Sequence, residues 1–208
     1  RSTDGGQTWL HMTLGFNANT FFSVAAASNG WFMGGSQDNG TQLFEFGQLG
    51  VTSPKGTIQI QGGDGFATEF SDFGGGIAFA CSQYGNITRQ SAQSPGQGGT
   101  FFDSELTTWT AYPFNTKFRL WESVNDPLSI DSIDVVFQDT TTLTAGVQFV
   151  YQSLTNGEDL YYTPTSTTTY LPGDTLRLQD YYQSRFAFYI GSGNVHLTKD
   201  ATRFNAIT

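Results

Sequence analysis

Cysteine is nearly missing from this 208-residue chain: Cys81 stands alone, so no internal disulfide can form. Charge is scarce too. Asp, Glu, Lys and Arg make up 13% of residues, about half the usual share. Basic residues are the rarer sign, 9 against 18 acidic ones, for a net charge of −9. A chain without a basic patch lacks the electrostatic footprint of a nucleic-acid binder. With His11 and His196 as its two histidines, it also lacks a His/Cys cluster for zinc. No apolar run approaches the ~20 residues of a membrane-spanning helix. No segment carries a convincing helical period. The chain opens on Arg1 rather than Met, with no signal peptide, which suggests a mature piece of something larger.

What the chain does have is aromatic residues and glycine. Phe (19) and Tyr (9) lead an aromatic content of 15%, and there are 25 Gly. That combination argues against disorder and points to an all-β protein with many tight turns. Strand, turn, strand is the rhythm almost throughout. Strands are expected over 21–27, 31–35 and 41–46, with Ser28-Asn29-Gly30 as a turn reaching positive φ and 37–40 as a polar loop. A second unit opens at Gly62-Gly-Asp-Gly-Phe66, with strands over 66–70, 77–82 and 86–91 and a turn at Gln83-Tyr84-Gly85. The two units are spaced by about 45 residues, within the period of propeller blades. The stretch 91–100 has the makings of an expanded turn. A third unit starts near 116–122. Residues 128–180 then lose the Gly-Gly punctuation and turn rich in Thr and Tyr, with strands expected over 132–138, 146–153, 159–163 and 175–179. Strands over 184–190 and 194–199 resume the earlier rhythm. Cys81 sits in the apolar run Ile77-Ala-Phe-Ala-Cys81, the setting of a small core residue rather than a reactive thiol.

Residues 2–9, Ser-Thr-Asp-Gly-Gly-Gln-Thr-Trp, match the pattern S-x-D-x-G-x-T-W at Ser2, Asp4, Gly6, Thr8 and Trp9. An Asp at such a turn accepts hydrogen bonds from nearby backbone N–H groups, and Gly supplies positive φ. Thr8 and Trp9 are expected to enter the next strand, with the indole laid across it. The octapeptide resembles the Asp-box of BNR-type β-propellers. Gly34-Gly-Ser-Gln-Asp-Asn-Gly-Thr41 resembles the G-G-x-Q-D-N-G-T signature of the same group, and Gly62-Gly-Asp-Gly-Phe66 the element that follows it. Leu120-Trp-Glu-Ser123 followed by Asp131-Ser132, and Gln183-Ser-Arg-Phe-Ala-Phe with Val195-His-Leu-Thr-Lys-Asp200, are similar to its later segments. The group is the sortilin-like or sialidase-like propeller of large secreted and surface-attached bacterial proteins. The resemblance implies a partial propeller of about three four-stranded blades: blades over 1–127, a small β insertion over 128–180, and a blade continued over 181–208. It further implies a chain that is part of a longer polypeptide, outside the cell or on its surface.

The resemblance makes the Asp-box an architectural turn. Sialidase chemistry needs clustered arginines to hold a substrate carboxylate. The six here, Arg1, Arg89, Arg119, Arg177, Arg185 and Arg203, are scattered, and no F-R-I-P segment is present. Related propellers of xyloglucanase type place a catalytic Asp in a G-D-x-G-G segment. Asp64 is the nearest match and Asp38 a second loop carboxylate, although Phe66 stands where that motif has Gly. Asp64 therefore has two readings: cap of a Gly-rich turn, or half of a glycosidase carboxylate pair. Asp38-Asn39 or Asp64 would also offer oxygen ligands to Ca²⁺, but no D-x-[DN]-x-[DN]-G run is present. No metal site or cofactor is assigned. Trp31, Trp109, Trp121, Tyr161 and Tyr162 are candidates for stacking on a ligand, against the plainer role of core packing. Tyr161, Tyr162 and Trp121 are the preferred three; adjacent strand residues face opposite sides, so one of the two tyrosines should be exposed. The expected function is a non-catalytic scaffold or binding segment for carbohydrate or protein, with glycoside hydrolysis through Asp64 as the alternative. No nucleic acid and no membrane span are expected.

Overall fold

The computed structural model describes residues 2–9, 19–44, 57–73, 76–91, 99–100, 113–190 and 193–202. These residues form an all-β fold of several antiparallel sheets, with no α-helix among them. The first sheet holds β1 (Phe21–Ala26), β2 (Phe32–Ser36), β3 (Gly40–Phe44) and β4 (Thr57–Gln61) in sequence order. The second holds β5 (Thr68–Ser71), β6 (Ile77–Cys81), β7 (Ile87–Ser91) and β8 (Gly99–Thr100), again in sequence order. The third pairs β9 (Phe118–Ser123) with β16 (Gln183–Ile190), and β16 with β17 (Asn194–Thr198).

Between β9 and β16 lie three two-stranded ribbons. They pair β10 (Ser132–Val136) with β15 (Thr175–Gln179), β11 (Thr141–Leu143) with β14 (Thr168–Tyr170), and β12 (Phe149–Gln152) with β13 (Asp159–Tyr162).

Alternation along the strands decides what packs on what. Met33, Leu43 and Ile60 of the first sheet share a buried cluster with Ala78 and Ala80 of β6. The residues between them, Ile77, Phe79 and Cys81, point the other way and join Phe118, Phe186 and Phe188 of the third sheet. Strand β6 is therefore buried along its whole length, because both faces of the second sheet are covered. The first strands β1, β5 and β9 lie in succession along one side of this stack. The ribbons bury a separate cluster of Ile133, Tyr151, Leu160 and Leu178.

Several expectations need adjustment. Strand β4 was not anticipated, nor was β8, which lies in the stretch read as an expanded turn, nor were the short Thr-rich β11 and β14. Of the Asn29-Gly30 turn, only Gly30 adopts positive φ, at +87°. Asn29 contributes its side chain instead, accepting the Trp31 N–H at 2.9 Å. In the other two turns non-glycine residues do turn left-handed, Asp38 at φ +61° and Tyr84 at φ +58°.

Candidate functional site

The Asp-box octapeptide forms a compact turn held by its own side chains. The Ser2 hydroxyl donates to Asp4 Oδ1 at 2.8 Å and accepts the Gly6 N–H at 2.9 Å. Asp4 Oδ1 also accepts the Thr8 N–H at 2.9 Å, and Oδ2 accepts the Thr8 hydroxyl. Bonds from the Thr8 hydroxyl, the Thr8 N–H and the Ser2 hydroxyl hold the Asp4 carboxyl well below the usual carboxylate range. Gly5 and Gly6 take φ of +72° and +92°. One expectation fails here. Thr8 and Trp9 lie outside any strand, and the Trp9 ring is 75% exposed. The turn closes entirely on local bonds, so its wiring does not require the ring to be packed. The strand that Trp9 was expected to start falls in 10–18, outside the described residues.

Asp38 and Asp64 come together at one end of the stack. Asp38 sits in the β2–β3 loop and Asp64 in the β4–β5 loop. Asp64 Oδ1 accepts the Asp38 backbone N–H at 2.8 Å. Its Oδ2 accepts the Gln83 side-chain N–H at 3.0 Å, from the β6–β7 loop. One carboxylate thus ties three loops together and holds Asp38 in its left-handed conformation. Gln42 and Gln59 brace the same loop by donating to the Asn39 carbonyl at 2.6 and 3.2 Å.

The glycines of the two motifs explain each other. A Cβ on Gly65 would lie 2.4 Å from the Gly40 carbonyl oxygen, and one on Gly35 the same distance from the Phe66 carbonyl oxygen. Backbone meets backbone here, so no side chain fits. The Gly65 N–H donates to the Ser36 carbonyl at 2.9 Å across this contact. The segments 34–41 and 62–66 are therefore two sides of one joint.

Beside this joint lies an aromatic cluster that sequence reasoning missed. Phe114 packs edge-on against both Phe66 (5.5 Å) and Tyr84 (5.4 Å), and Phe22 lies 5.0 Å from Phe66. Tyr84 and Phe114 are 63% and 51% exposed. The exposed tip of the Gln83-Tyr84-Gly85 turn was the available signal.

At the opposite end of the stack, Glu122 accepts bonds from the Ser71 hydroxyl and the Asp72 N–H. Burial pushes its carboxyl above the ordinary glutamate value, against the pull of these donors. Ser28 donates to Asp72 through both its hydroxyl (2.7 Å) and its N–H (3.1 Å). Asp72, Asn29, Trp31 and Phe70 line an open pocket of about 240 Å³ at this end. Trp31 belongs partly to this pocket and partly to the core of the first sheet.

The remaining candidates are dispersed. Trp121 on β9 is 52% exposed. Tyr161 and Tyr162 divide as adjacent strand residues must: Tyr161 is 55% exposed, whereas Tyr162 packs against the ribbon core. Trp109 lies outside the described residues. The described arginines do not converge. Arg119 pairs with Glu69, Arg177 lies 3.8 Å from Asp134, and Arg185 grips Asp131 through two bonds of 2.9 Å. Arg89 donates to the Ala201 carbonyl at 2.8 Å. Arg1 and Arg203 fall outside the described residues.

Burial pushes the Cys81 thiol up to about 12, so it is not a thiolate at neutral pH. It accepts the Ala67 N–H and donates to the Thr116 carbonyl, both at 3.2 Å. Among the described residues, no three His, Cys, Asp or Glu side chains gather as a metal site. No helix among them is long and apolar enough to cross a membrane.

The fold and loops define an all-β chain of stacked antiparallel sheets, joined at one end by a Gly–Asp loop junction. No protein-family model, curated protein or solved structure matches it.

Proposed function

We propose that this chain is a non-catalytic segment of an Asp-box β-propeller, a scaffold or binding module of a secreted or cell-surface bacterial protein. The observation that carries the reading is the stack itself. Three sheets follow one another with β1, β5 and β9 in succession, and both faces of the second sheet are used for packing. In that reading the first two sheets are blades, β9, β16 and β17 belong to a third, and residues 128–180 are an insertion after that blade's first strand. The self-contained Asp4 turn supports the Asp-box assignment. Remaining parts of a longer polypeptide would be the first partners, and Trp121 and Tyr161 are exposed aromatics suited to a carbohydrate or protein ligand.

Asp64 supports the non-catalytic reading because both its oxygens accept bonds that hold the loop joint. The competing reading, glycoside hydrolysis by Asp64 with Asp38, draws on the adjacency of their loops. The Asp64→Asn variant decides between them. The expected result is no cleavage of xyloglucan or other β-glucans by the native protein, together with a lower melting temperature for the variant. Hydrolysis by the native protein that vanishes in a folded Asp64→Asn variant would overturn the proposal.

A further inference from the structure

The open pocket at the Glu122 end of the stack joins two sheets. The β1–β2 turn of the first sheet supplies Ser28 and Asn29, with Trp31 just before β2. The second sheet supplies Phe70 from β5 and Asp72 from the loop after it. The volume of about 240 Å³ lies below the ~300–1,000 Å³ of sites for drug-sized ligands. That leaves room for one small ring.

The apolar part of the pocket is fixed by the core. Trp31 and Phe70 are half-buried, and both pack against the cluster of Met33, Leu43, Ile60, Ala78 and Ala80. Each ring therefore has one part seated on the core and another left to the pocket.

The polar part is also held in place, and its bonding capacity is only partly used. The Asp72 N–H donates to Glu122, and Asp72 Oδ1 accepts both the hydroxyl and the N–H of Ser28. Among the described residues nothing donates to Asp72 Oδ2. Asn29 Oδ1 accepts the Trp31 N–H at 2.9 Å. That bond sets the orientation of the amide and leaves its NH2 group without an acceptor among the described residues. The pocket thus offers a charged acceptor and a two-proton donor beside two aromatic rings.

This set of groups selects a ligand class. A cation would suit the rings and the carboxylate, but the Asn29 donors would repel it. An apolar group would strip water from Asp72 and Asn29 and give them no partner. A sugar ring uses all of them. One hydroxyl donates to Asp72, a neighbouring hydroxyl accepts from Asn29, and the C–H face of the ring lies against the indole.

We propose that this pocket binds one neutral pyranose unit of a glycan, with Trp31 as the stacking platform and Asp72 and Asn29 as hydroxyl partners. This rests on the binding-module reading above and gives it a site. Its failure would leave the scaffold role and the Asp64→Asn test untouched.

Amide NMR titration of the 208-residue chain tests it. The probes are the methyl pyranosides of glucose, galactose and mannose and, separately, choline. At least one glycoside is expected to shift the Trp31 indole N–H and the Asn29 NH2 signals with millimolar affinity, and choline to shift neither. Asn29→Asp keeps an acceptor for the Trp31 N–H and removes the NH2 group. It should weaken the glycoside about fivefold, as loss of one ordinary hydrogen bond does. Asp72→Asn should weaken it at least as much. Asn29 and Asp72 are both exposed, and the remaining amide signals report that the fold is retained. Trp31→Leu keeps an apolar side chain on the core but removes the aromatic face, so binding should vanish from the Asn29 signals. Trp121→Ala, which removes an exposed ring outside the pocket, should change nothing. No shift with any glycoside at tens of millimolar would overturn the proposal. Unchanged glycoside affinity in any of the three pocket variants would also overturn it. Choline binding that tightens in Asn29→Asp would overturn it in favour of a cation site.

Discussion

The stack and the ribbon insertion bury their strands in different ways. In the stack, broad sheets lie face to face around packed rings: Phe186 is fully buried, with Phe79 at 4.9 Å and Phe118 at 5.0 Å, while buried polar side chains such as Gln61 and Gln90 bond between strands. The insertion is made of two-stranded ribbons, which are marginal on their own. Its cluster of four buried residues is flanked by half-buried tyrosines, and Tyr151 bonds the Gln179 carbonyl at 2.7 Å. Its other anchor is a buried carboxylate. Asp180 Oδ2 accepts the Ser153 hydroxyl at 2.9 Å and the Leu154 N–H at 3.1 Å, while Oδ1 accepts the Tyr182 N–H at 3.1 Å. Wide sheets have enough apolar face to hold themselves together. Narrow ribbons lack it, and a polar hub ties their ends instead.

This contrast can be broken most forcefully at its apolar extreme. Phe186→Ala should cost about 3–5 kcal/mol, as large-to-small changes at packed aromatic sites do. Urea unfolding followed by tryptophan fluorescence would measure it, and a loss below 1 kcal/mol would contradict the packing described.

The polar hub comes next. Asp180→Ala strands one hydroxyl and two backbone N–H groups in a buried setting and should cost about 3 kcal/mol. Limited proteolysis should then cut first within 128–180. If cleavage begins equally in the stack, the two regions are a single cooperative unit and the distinction drawn here fails.

A pH experiment sharpens the comparison inside the stack, where Glu122 is a half-buried carboxyl. Its folded value lies above the ordinary 4.5, so the native state binds more protons than the unfolded chain between 4.5 and that raised value. Its contribution to stability is therefore full below 4.5 and lost as pH rises through the raised value. Glu122→Gln should flatten that part of the profile, seen as melting temperature against pH from 4 to 8. An unchanged slope would mean that the carboxyl is not held protonated by burial.

The smallest effect is expected at the surface. The Arg119 side chain of the Arg119–Glu69 pair is 83% exposed, so Arg119→Ala should change stability by less than about 1 kcal/mol. Thermal unfolding in low and high salt would check it.

Much of the strand order was legible in the residues. Alternating apolar positions and Gly turns located the strands of the stack except β4 and β8, and four of the six insertion strands. Strand β4 escaped notice although Ile58 and Ile60 alternate with glutamines. Strands β11 and β14 escaped because three Thr-rich residues carry too little period to register. The candidate site was half legible. Asp38 and Asp64 stood out as loop carboxylates, but the bonds that define Asp64 reach across 26 residues to Asp38 and 19 to Gln83. The aromatic cluster of Phe66, Tyr84 and Phe114 was missed because Phe114 reaches it from 30 residues beyond Tyr84, along a path no local pattern predicts.

What these residues determine alone is local. Hydrophobic alternation makes strands, and Gly, Asn and Asp make the turns. The Ser2-Asp4-Gly6-Thr8 spacing suffices to wire its own loop, because every partner lies within six residues. The tertiary structure decides which face meets which. Alternation shows that Ile77, Phe79 and Cys81 share one side of β6 and Ala78 and Ala80 the other; only the stacked sheets show that both sides are covered. The same holds for the glycines at 35, 40 and 65, whose need for a bare Cα shows only where two backbones close on each other. A strand carries its period in its own sequence, but the surface it packs against comes from elsewhere in the chain.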